Sequence, residues 1–255
     1  MLIVLSPAKT LDFSKTITNQ VITIPVFLKE AEKLVKIARK FKPAQLSLLM
    51  GISAKLADLN FERFLKWEIN HSSENSKQAL FAFKGDVYLG LDSKSLNEVQ
   101  LSYLNNNLRI LSGLYGSLKP FDLIQEYRLE MGTQIVNPKG NDLYKFWGKK
   151  ITNEIIKALD NSYGEKVLIN LASNEYFKSI VTKDLKNRII TPVFKEQKED
   201  GYHFVSFFAK KARGLMTRFI ALNNINQSED IKHFNLERYA YNEDLSKHDE
   251  WVFTR

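Results

Sequence analysis

The chain has 255 residues and is basic, because 37 Lys and Arg side chains outnumber 29 Asp and Glu and give a formal net charge of +8. Hydrophobic residues make up 44% and charged residues 26%, which is typical of a soluble globular protein and excludes a wholly disordered chain. The lack of cysteine excludes disulfides, thiolate nucleophiles and cysteine-ligated metal sites. The basic excess favours a polyanionic partner, nucleic acid first, although lysines that serve only solubility would give the same charge.

The apolar runs of the sequence are short. The first of them, at residues 2–5, is far shorter than the core of a signal peptide, and no run reaches the roughly 18 residues that a membrane-spanning helix needs. No Gly/Ser-rich linker and no internal repeat divides the chain. We therefore expect a cytoplasmic protein with no membrane partner, folded as a single domain over residues 1–255.

Hydrophobic periodicity predicts strands and helices that are interspersed along the chain. In chain order they are a strand at 2–5, a helix at 25–41, helices at 43–50 and 53–67, a helical stretch at 74–83, a helix at 95–107, a strand and turn at 109–116, a helix at 141–159, strands at 167–172, 188–194 and 202–208, a helix at 209–222, and closing strands within 237–241 and 250–254. This order predicts an α+β fold, a mixed β-sheet covered by helices, with a helical hairpin near residues 43–67.

The segment LSLLMGISAKLADL, residues 46–59, places a Gly-hydrophobic-Ser turn between two short apolar helices. It is similar to the helix-hairpin-helix element of proteins that bind DNA without sequence specificity, in which the turn is normally Gly-hydrophobic-Gly. Gly51 permits the tight turn, Ser53 suits an N-cap, and free backbone N–H groups beside Lys55 could hold a phosphate oxygen. An ordinary turn between two core helices is the alternative.

The segment FFAKKARGLMTRF, residues 207–219, carries a second cluster of basic residues. No acidic residue occurs between Gly201 and Gln227. Helical spacing places Lys210, Arg213, Gly214 and Thr217 on one stripe, and Lys211 lies beside it. A glycine inside a helix costs roughly 1 kcal/mol relative to alanine, so its presence favours either close approach to a phosphate or tight packing of the helix on the sheet.

Four short segments combine small turn residues with a cation or a hydroxyl: SPAKT (6–10), KGDVY (84–88), SGLYG (112–116) and YRLEMG (127–132). Their cations Lys9, Lys84 and Arg128 are candidates for ligand binding, because ligands of mixed α/β folds usually bind at the junctions between strands and loops. Glu175 in NLASNEY fits either a general base or a capping carboxylate. The four histidines are far apart in the sequence and no nucleotide-binding fingerprint is present, so we expect neither a metal site nor a cofactor.

Together these segments resemble the peroxide stress protein YaaA family. The segments, in the same order, are LIVLSPAKTLD (2–12), FKGDVY (83–88), LSGLYG (111–116), YRLEMG (127–132), NLASNEYFKS (170–179) and FFAKKARGLMTRF (207–219). The resemblance covers residues 1 to about 253. It implies a cytosolic DNA-binding protein that protects bacteria from hydrogen peroxide by limiting oxidative DNA damage and intracellular free iron. It also implies a mixed α/β fold with a helix-hairpin-helix element and a positively charged cleft.

Two functional hypotheses follow from the resemblance and the residues. In the first, the protein binds double-stranded or structured DNA. The cleft would then be lined by Lys9, Lys84, Arg128, Lys210, Lys211 and Arg213, with Gly51, Ser53 and Lys55 holding the backbone of one strand. In the second, it is a nucleic-acid-processing enzyme whose nucleophile is a lysine amine in that cleft. No acid/base pair is recognisable from spacing, which favours the first hypothesis.

Overall fold

The computed structural model describes residues 1–14 and 21–255, and its centre is a β-sheet. The strands are β1 (Leu2–Leu5), β2 (Thr10–Leu11), β3 (Lys77–Gln78), β4 (Phe83–Lys84), β5 (Leu108–Ser112), β6 (Gly116–Leu118), β7 (Leu123–Ile124), β8 (Leu168–Leu171), β9 (Ile189–Lys198), β10 (Gly201–His203), β11 (Ala240–Tyr241) and β12 (Glu250–Thr254). The helices are α1 (Leu28–Ala38), α2 (Pro43–Met50), α3 (Ala54–Lys66), α4 (Ala79–Ala82), α5 (Asp86–Leu91), α6 (Glu98–Asn107), α7 (Leu143–Trp147), α8 (Lys150–Asn161), α9 (Asn174–Phe177) and α10 (Ser206–Leu222). Short 3₁₀ turns lie at Ser93–Ser95, Thr182–Asp184, Ser228–His233 and Leu236–Arg238.

The central sheet has the strand order β11-β12-β9-β8-β1-β5-β6, and β10 pairs with the last residues of β9. The five neighbouring strands from β12 to β5 run parallel, whereas β6, β10 and β11 are antiparallel to their partners. Every residue of β1, β5 and β8 is buried, so both faces of the middle of the sheet are covered. The prediction of a mixed sheet covered by helices is confirmed.

The order of the strands creates a crevice between β1 and β8. The chain leaves β1 toward β5 on one side and leaves β8 toward β9 on the other. Connections that depart in opposite directions open a crevice at the carboxyl ends of two such strands, and ligands of open parallel sheets bind there. Leu5 and Leu171 are in register at these ends, so the loops that follow them flank the crevice.

The two helices predicted near residues 43–67 are present as α2 and α3. Pro43 is the first residue of α2, which ends at Gly51, where φ is +60°. Ser53 caps α3, and its Oγ accepts a hydrogen bond from the backbone N–H of Leu56 at 3.4 Å. Local sequence therefore determines both ends of the turn.

Three predicted elements are wrong in their detail. Residues 74–83 form β3, the single turn α4 and the start of β4 rather than one helix, because β3 pairs with β7 and β4 pairs with β2. The helix predicted over 141–159 is interrupted at Gly148, whose φ of +50° lies outside the helical range, and forms α7 and α8. The strand predicted over 202–208 is limited to β10, which pairs only with the end of β9, and α10 contains the remaining aromatic residues.

The helix α10 corrects one predicted surface. Gly214 and Thr217, expected on an exposed stripe with Lys210 and Arg213, are buried. A Cβ on Gly214 would lie 1.8 Å from the carbonyl oxygen of Val87, because α10 packs directly on α5. Gly214 thus permits close packing rather than the approach of a phosphate, and the packing partner is a helix instead of the sheet. Across residues 1–14 and 21–255, no helix has both the length and the apolar character to cross a membrane.

Candidate functional site

Five segments meet where the parallel strands of the central sheet end. We call this the carboxyl-edge site and define it by residues 6–10, 84–88, 112–116, 127–132 and 170–176. Three of the segments follow β1, β5 and β8 directly. Segment 84–88 joins them because β4 pairs with β2, which places Thr10 opposite Lys84. Segment 127–132 packs on 112–116 so closely that a Cβ on Gly113 would lie 2.2 Å from the carbonyl oxygen of Leu129.

The crevice between β1 and β8 is closed by hydrogen bonds between the two loops. The Oγ of Ser6 accepts from the backbone N–H of Ser173 at 2.8 Å and donates to the Ser173 Oγ at 3.3 Å. The hydroxyl of Tyr88 donates to the carbonyl oxygen of Ser6 at 3.1 Å, so the first residues of α5 are held against the same loop. The segments were predicted separately, and these bonds show that three of them form one site.

Glu130 pairs with two of the predicted cations. Its carboxylate oxygens lie 2.8 Å from Lys9 Nζ and 2.9 Å from Arg128 Nη2. A second carboxylate, Glu175, accepts from the backbone N–H of Gly132 at 2.9 Å. This bond differs from the predicted capping role, because Glu175 fastens the 127–132 loop rather than capping its own helix. The ion pairs orient Lys9 and Arg128 within the site.

Three buried tyrosines, Tyr88, Tyr127 and Tyr176, lie beneath these charges. Burial raises the pKa of Tyr176, and the Tyr127 phenol and the carboxylates of Glu175 and Glu130 raise it further. Burial likewise raises the pKa values of Tyr88 and Tyr127. All three phenols are therefore protonated at neutral pH and serve as hydrogen-bond groups rather than as bases.

Two guanidinium groups retain unused hydrogen-bonding capacity. The Nε of Arg128 is buried, and no acceptor for it lies among the residues that the structure describes. Arg213 on α10 is partly buried, and burial lowers its pKa. Within residues 1–14 and 21–255, its guanidinium forms neither a hydrogen bond nor an ion pair. A desolvated cation without a partner is costly, so Arg213 favours an anionic ligand, whereas Arg128 keeps one unsatisfied N–H beside its ion pair with Glu130.

The remaining basic residues of α10 and of segment 84–88 differ in their environment. Lys210 and Lys84 are exposed. Lys211 is only partly exposed and pairs with Glu237 at 2.5 Å. Lys84 lines a cavity of about 260 Å³ beside Tyr88, into which Asp92 also faces. Lys84 thus flanks a solvent-accessible recess next to the carboxyl-edge site.

The predicted hairpin residues Gly51, Ser53 and Lys55 are exposed and lie apart from the carboxyl-edge site. The C-terminal end of α3 touches the site, because the indole N–H of Trp67 donates to the Tyr115 hydroxyl at 2.9 Å. Lys55 is twelve residues before Trp67, which corresponds to about 18 Å along a helix. The turn is therefore a separate surface at the far end of α3.

A hydrogen-bond network around Tyr115 joins α3 to the carboxyl-edge site. The Tyr115 hydroxyl accepts from Trp67 Nε1 at 2.9 Å and from the backbone N–H of Gln125 at 3.1 Å. Its own proton is left for His71 Nε2, at 3.0 Å. His71 must then be neutral with its proton on Nδ1, and burial lowers its pKa, which favours this state.

No cluster of three or more His, Asp or Glu side chains that could hold a metal ion occurs in the two described ranges. The carboxyl-edge site offers instead cations, hydroxyls and three carboxylates, of which Glu130 and Glu175 are engaged by the contacts above and Asp86 begins α5. This arrangement suits recognition of an anion by charge and hydrogen bonds.

Comparison with known proteins decides the family. A profile of the peroxide stress protein YaaA family matches residues 1–245. The chain belongs to this family. It is similar over its full length to UPF0246 proteins from Shewanella loihica, with 48% identity, and from Aliivibrio fischeri and Alteromonas mediterranea, each with 50% identity. Each comparison covers 100% of this chain and 98% of the relative. The resemblance seen in the sequence is confirmed, and membership of the YaaA family supports a role in peroxide stress.

The sequence of this YaaA-family chain does not reveal most of the contacts that organise its site. Glu130 in the YRLEMG segment is one of several carboxylates that could partner Lys9 or Lys84, and Ser6 lies inside SPAKT, but the motifs by themselves assign neither a contact. The sequence could have predicted one of these contacts, because Glu130 follows Arg128 by two residues and a loop can bring side chains at that spacing into an ion pair. The partner on the other side, Lys9, is more than a hundred residues away in sequence, and only the fold brings it to Glu130.

Proposed function

We propose that this protein binds double-stranded or structured DNA at the carboxyl-edge site as part of the cellular response to hydrogen peroxide. In this proposal it acts in the cytoplasm, protects DNA from oxidative damage and limits intracellular free iron. The observation that carries DNA binding is the pair of guanidinium groups with unused capacity, Arg128 and Arg213. The peroxide role is supported by the family.

The basic cleft of the proposal is formed by Lys9, Lys84, Arg128, Lys210, Lys211 and Arg213. Glu130 and Glu237 are the carboxylates that pair with members of this set. Six cations and two carboxylates leave four net positive charges among these eight side chains. A phosphodiester can replace a carboxylate as the partner of Lys9 or Lys211, and such contacts carry charge without reading sequence.

The α2–α3 turn would act as a helix-hairpin-helix element and a second contact to the same duplex. Its support is the left-handed Gly51, the cap at Ser53 and the exposure of Lys55. The length of α3 from Lys55 to Trp67, about 18 Å, corresponds to roughly five base pairs of B-DNA at about 3.4 Å each. In this proposal the turn therefore contacts the duplex several base pairs away from the carboxyl-edge site.

A salt titration tests this proposal. A fluorescein-labelled duplex of 30 base pairs should bind in an anisotropy assay, and log K should fall linearly with log salt by about 0.9 for each phosphate contacted. Lys210→Ala should weaken binding to all sequences alike, whereas Lys157→Ala, an exposed lysine beside a cavity around Arg109, should not. Absence of binding at low salt, or a binding constant that does not change with salt concentration, would refute DNA binding.

The second candidate, a nucleic-acid-processing enzyme, is favoured by one observation. Glu130 places a proton acceptor 2.8 Å from the Lys9 amine, which is the partner that spacing did not reveal. Lys9 would attack the aldehyde of an abasic sugar and form a Schiff base with loss of water. Borohydride reduction of such a mixture should trap a covalent adduct that Lys9→Ala abolishes. If binding occurs without an adduct, the binding function alone is retained.

A further inference from the structure

An exposed group of aromatic side chains lies at the junction of β10 and α10. Tyr202, Phe204 and Phe207 expose 39%, 57% and 57% of their surface. We call these three residues the aromatic ledge. The neighbouring Phe208 differs, because the Arg255 guanidinium covers its ring at 4.9 Å. Two phenylalanines left more than half exposed within four residues form an apolar patch that the fold itself does not use.

The aromatic ledge lies beyond the carboxyl ends of the central strands, the same end of the sheet as the carboxyl-edge site. Since β9 runs parallel to β8 and β1, its last residues point past the carboxyl ends of those strands. Leu168 is in register with Ile189, so β9 continues six residues beyond the level of Leu171, about 20 Å at 3.3 Å per residue. The pairing of β10 with these last residues places the ledge on an arm that extends outward from this edge.

The charges around the ledge favour one kind of occupant. Lys210 follows Phe207 by three residues, which makes them neighbours on the surface of α10, and Lys210 is exposed. No acidic residue occurs from Gly201 to Gln227; the acids nearest in sequence are Glu199 and Asp200 in the turn before β10, and Asp200 lies 2.8 Å from His203 Nε2. An exposed aromatic face beside a cation is the arrangement that holds a nucleotide, because the base stacks on the ring and the phosphate pairs with the cation.

We propose that the aromatic ledge stacks unpaired bases of DNA whose paired part occupies the carboxyl-edge site. This inference rests on the proposed DNA binding and names its preferred substrate, a duplex that contains a gap or a bulge. A paired base cannot offer its face to a ring, so the ledge contributes only where bases are unstacked. Stacking of one base contributes about 1–3 kcal/mol, which corresponds to roughly 5- to 150-fold in affinity.

The experiment compares two DNA duplexes with the same paired sequence. One is fully paired, and the other carries in addition a three-nucleotide bulge that contains 2-aminopurine. The wild-type protein should bind the bulged duplex about tenfold more tightly and quench the 2-aminopurine. The double variant Phe204→Ala/Phe207→Ala should lose the preference and the quenching while it binds the paired duplex as before. Tyr163→Ala, an aromatic residue 77% exposed at the amino edge of the sheet, is the matched control and should behave as wild type.

A second variant, Phe204→Leu/Phe207→Leu, keeps an apolar surface but removes the rings, and it should also lose the preference. Equal wild-type affinity for both duplexes, or a preference that survives in the variants, would overturn the ledge while the proposed function stands. Failure of wild-type protein to bind either duplex would overturn the proposed function itself. Concentration-dependent dimerisation or binding to anionic vesicles that the Ala variant abolishes, without any bulge preference, would assign the ledge to self-association or to a lipid surface and overturn the inference.

Discussion

The carboxyl-edge site and the α2–α3 turn are both basic surfaces, but they are built in opposite ways. The site is assembled from five distant segments whose charged and polar groups are fixed by Ser6, Glu130 and Glu175. The turn is made by consecutive residues and exposes Gly51 and Ser53; it is held locally by the Ser53 cap and by the Ser47 hydroxyl, which donates to the Ile52 carbonyl oxygen at 2.6 Å. The comparison teaches that a preorganised set of cations depends on the whole fold, whereas a backbone anion-binding turn depends on little beyond its own sequence.

The largest expected difference between the two regions is in packing. Gly113→Ala would place a Cβ 2.2 Å from the Leu129 carbonyl oxygen, so the backbone must shift and the free energy of unfolding should fall by about 3 kcal/mol. Gly51→Ala has no atom within 4 Å of the new Cβ and should lose only about 1 kcal/mol, from its left-handed backbone. Urea denaturation of both variants measures this, and equal losses would show that the two regions are packed alike.

Arg213, on α10, should separate DNA binding from stability. Arg213→Met removes a desolvated charge that has no partner, so the free protein should become more stable, by about 1 kcal/mol. The same change should weaken DNA binding about tenfold, since one phosphate loses its cation. Thermal unfolding and anisotropy titrations provide the two readouts. A less stable variant with unchanged affinity would mean that Arg213 serves only the fold.

The network between α3 and the site should respond to pH through His71. Its pKa is lowered in the folded protein, so the unfolded chain binds more protons once the pH falls below about 6.5. The stability that neutral His71 contributes is therefore present above about pH 6.5, the ordinary pKa of a histidine, and is lost progressively as the pH falls below it. Urea denaturation of wild type and His71→Gln across this range measures the difference. If both follow the same pH profile, His71 does not carry the effect.

The smallest expected effect is at the turn. Lys55→Gln removes one exposed charge and should weaken binding about two- to threefold for every DNA sequence, with the salt slope reduced by about 1. Asp58→Asn, on the same helix, removes a negative charge without adding a contact and should leave the affinity equal or slightly higher. An affinity indifferent to both changes would make the α2–α3 pair an ordinary structural hairpin.

The sequence by itself determined the elements whose signals are local. Pro43 specifies where α2 begins, Gly51 where it ends and Ser53 where α3 begins, because each acts through the backbone of its own turn. The segment Leu2–Leu5 was recognisable as a strand because buried parallel strands are continuous apolar runs. Family membership is also determined by the sequence alone, since it depends on the order of residues and not on their contacts.

Only the tertiary structure decided which residues act together. Glu130 reaches Lys9 because segments 127–132 and 6–10 end at the same edge of the sheet, and no spacing along the chain encodes that meeting. The sequence allows Gly214 to serve either phosphate approach or close packing; the structure decides for packing, because the carbonyl oxygen of Val87 lies 1.8 Å from where a Cβ would be. Ion pairs and close packing between distant segments depend on positions in space, which the chain defines only after all of its elements have packed together.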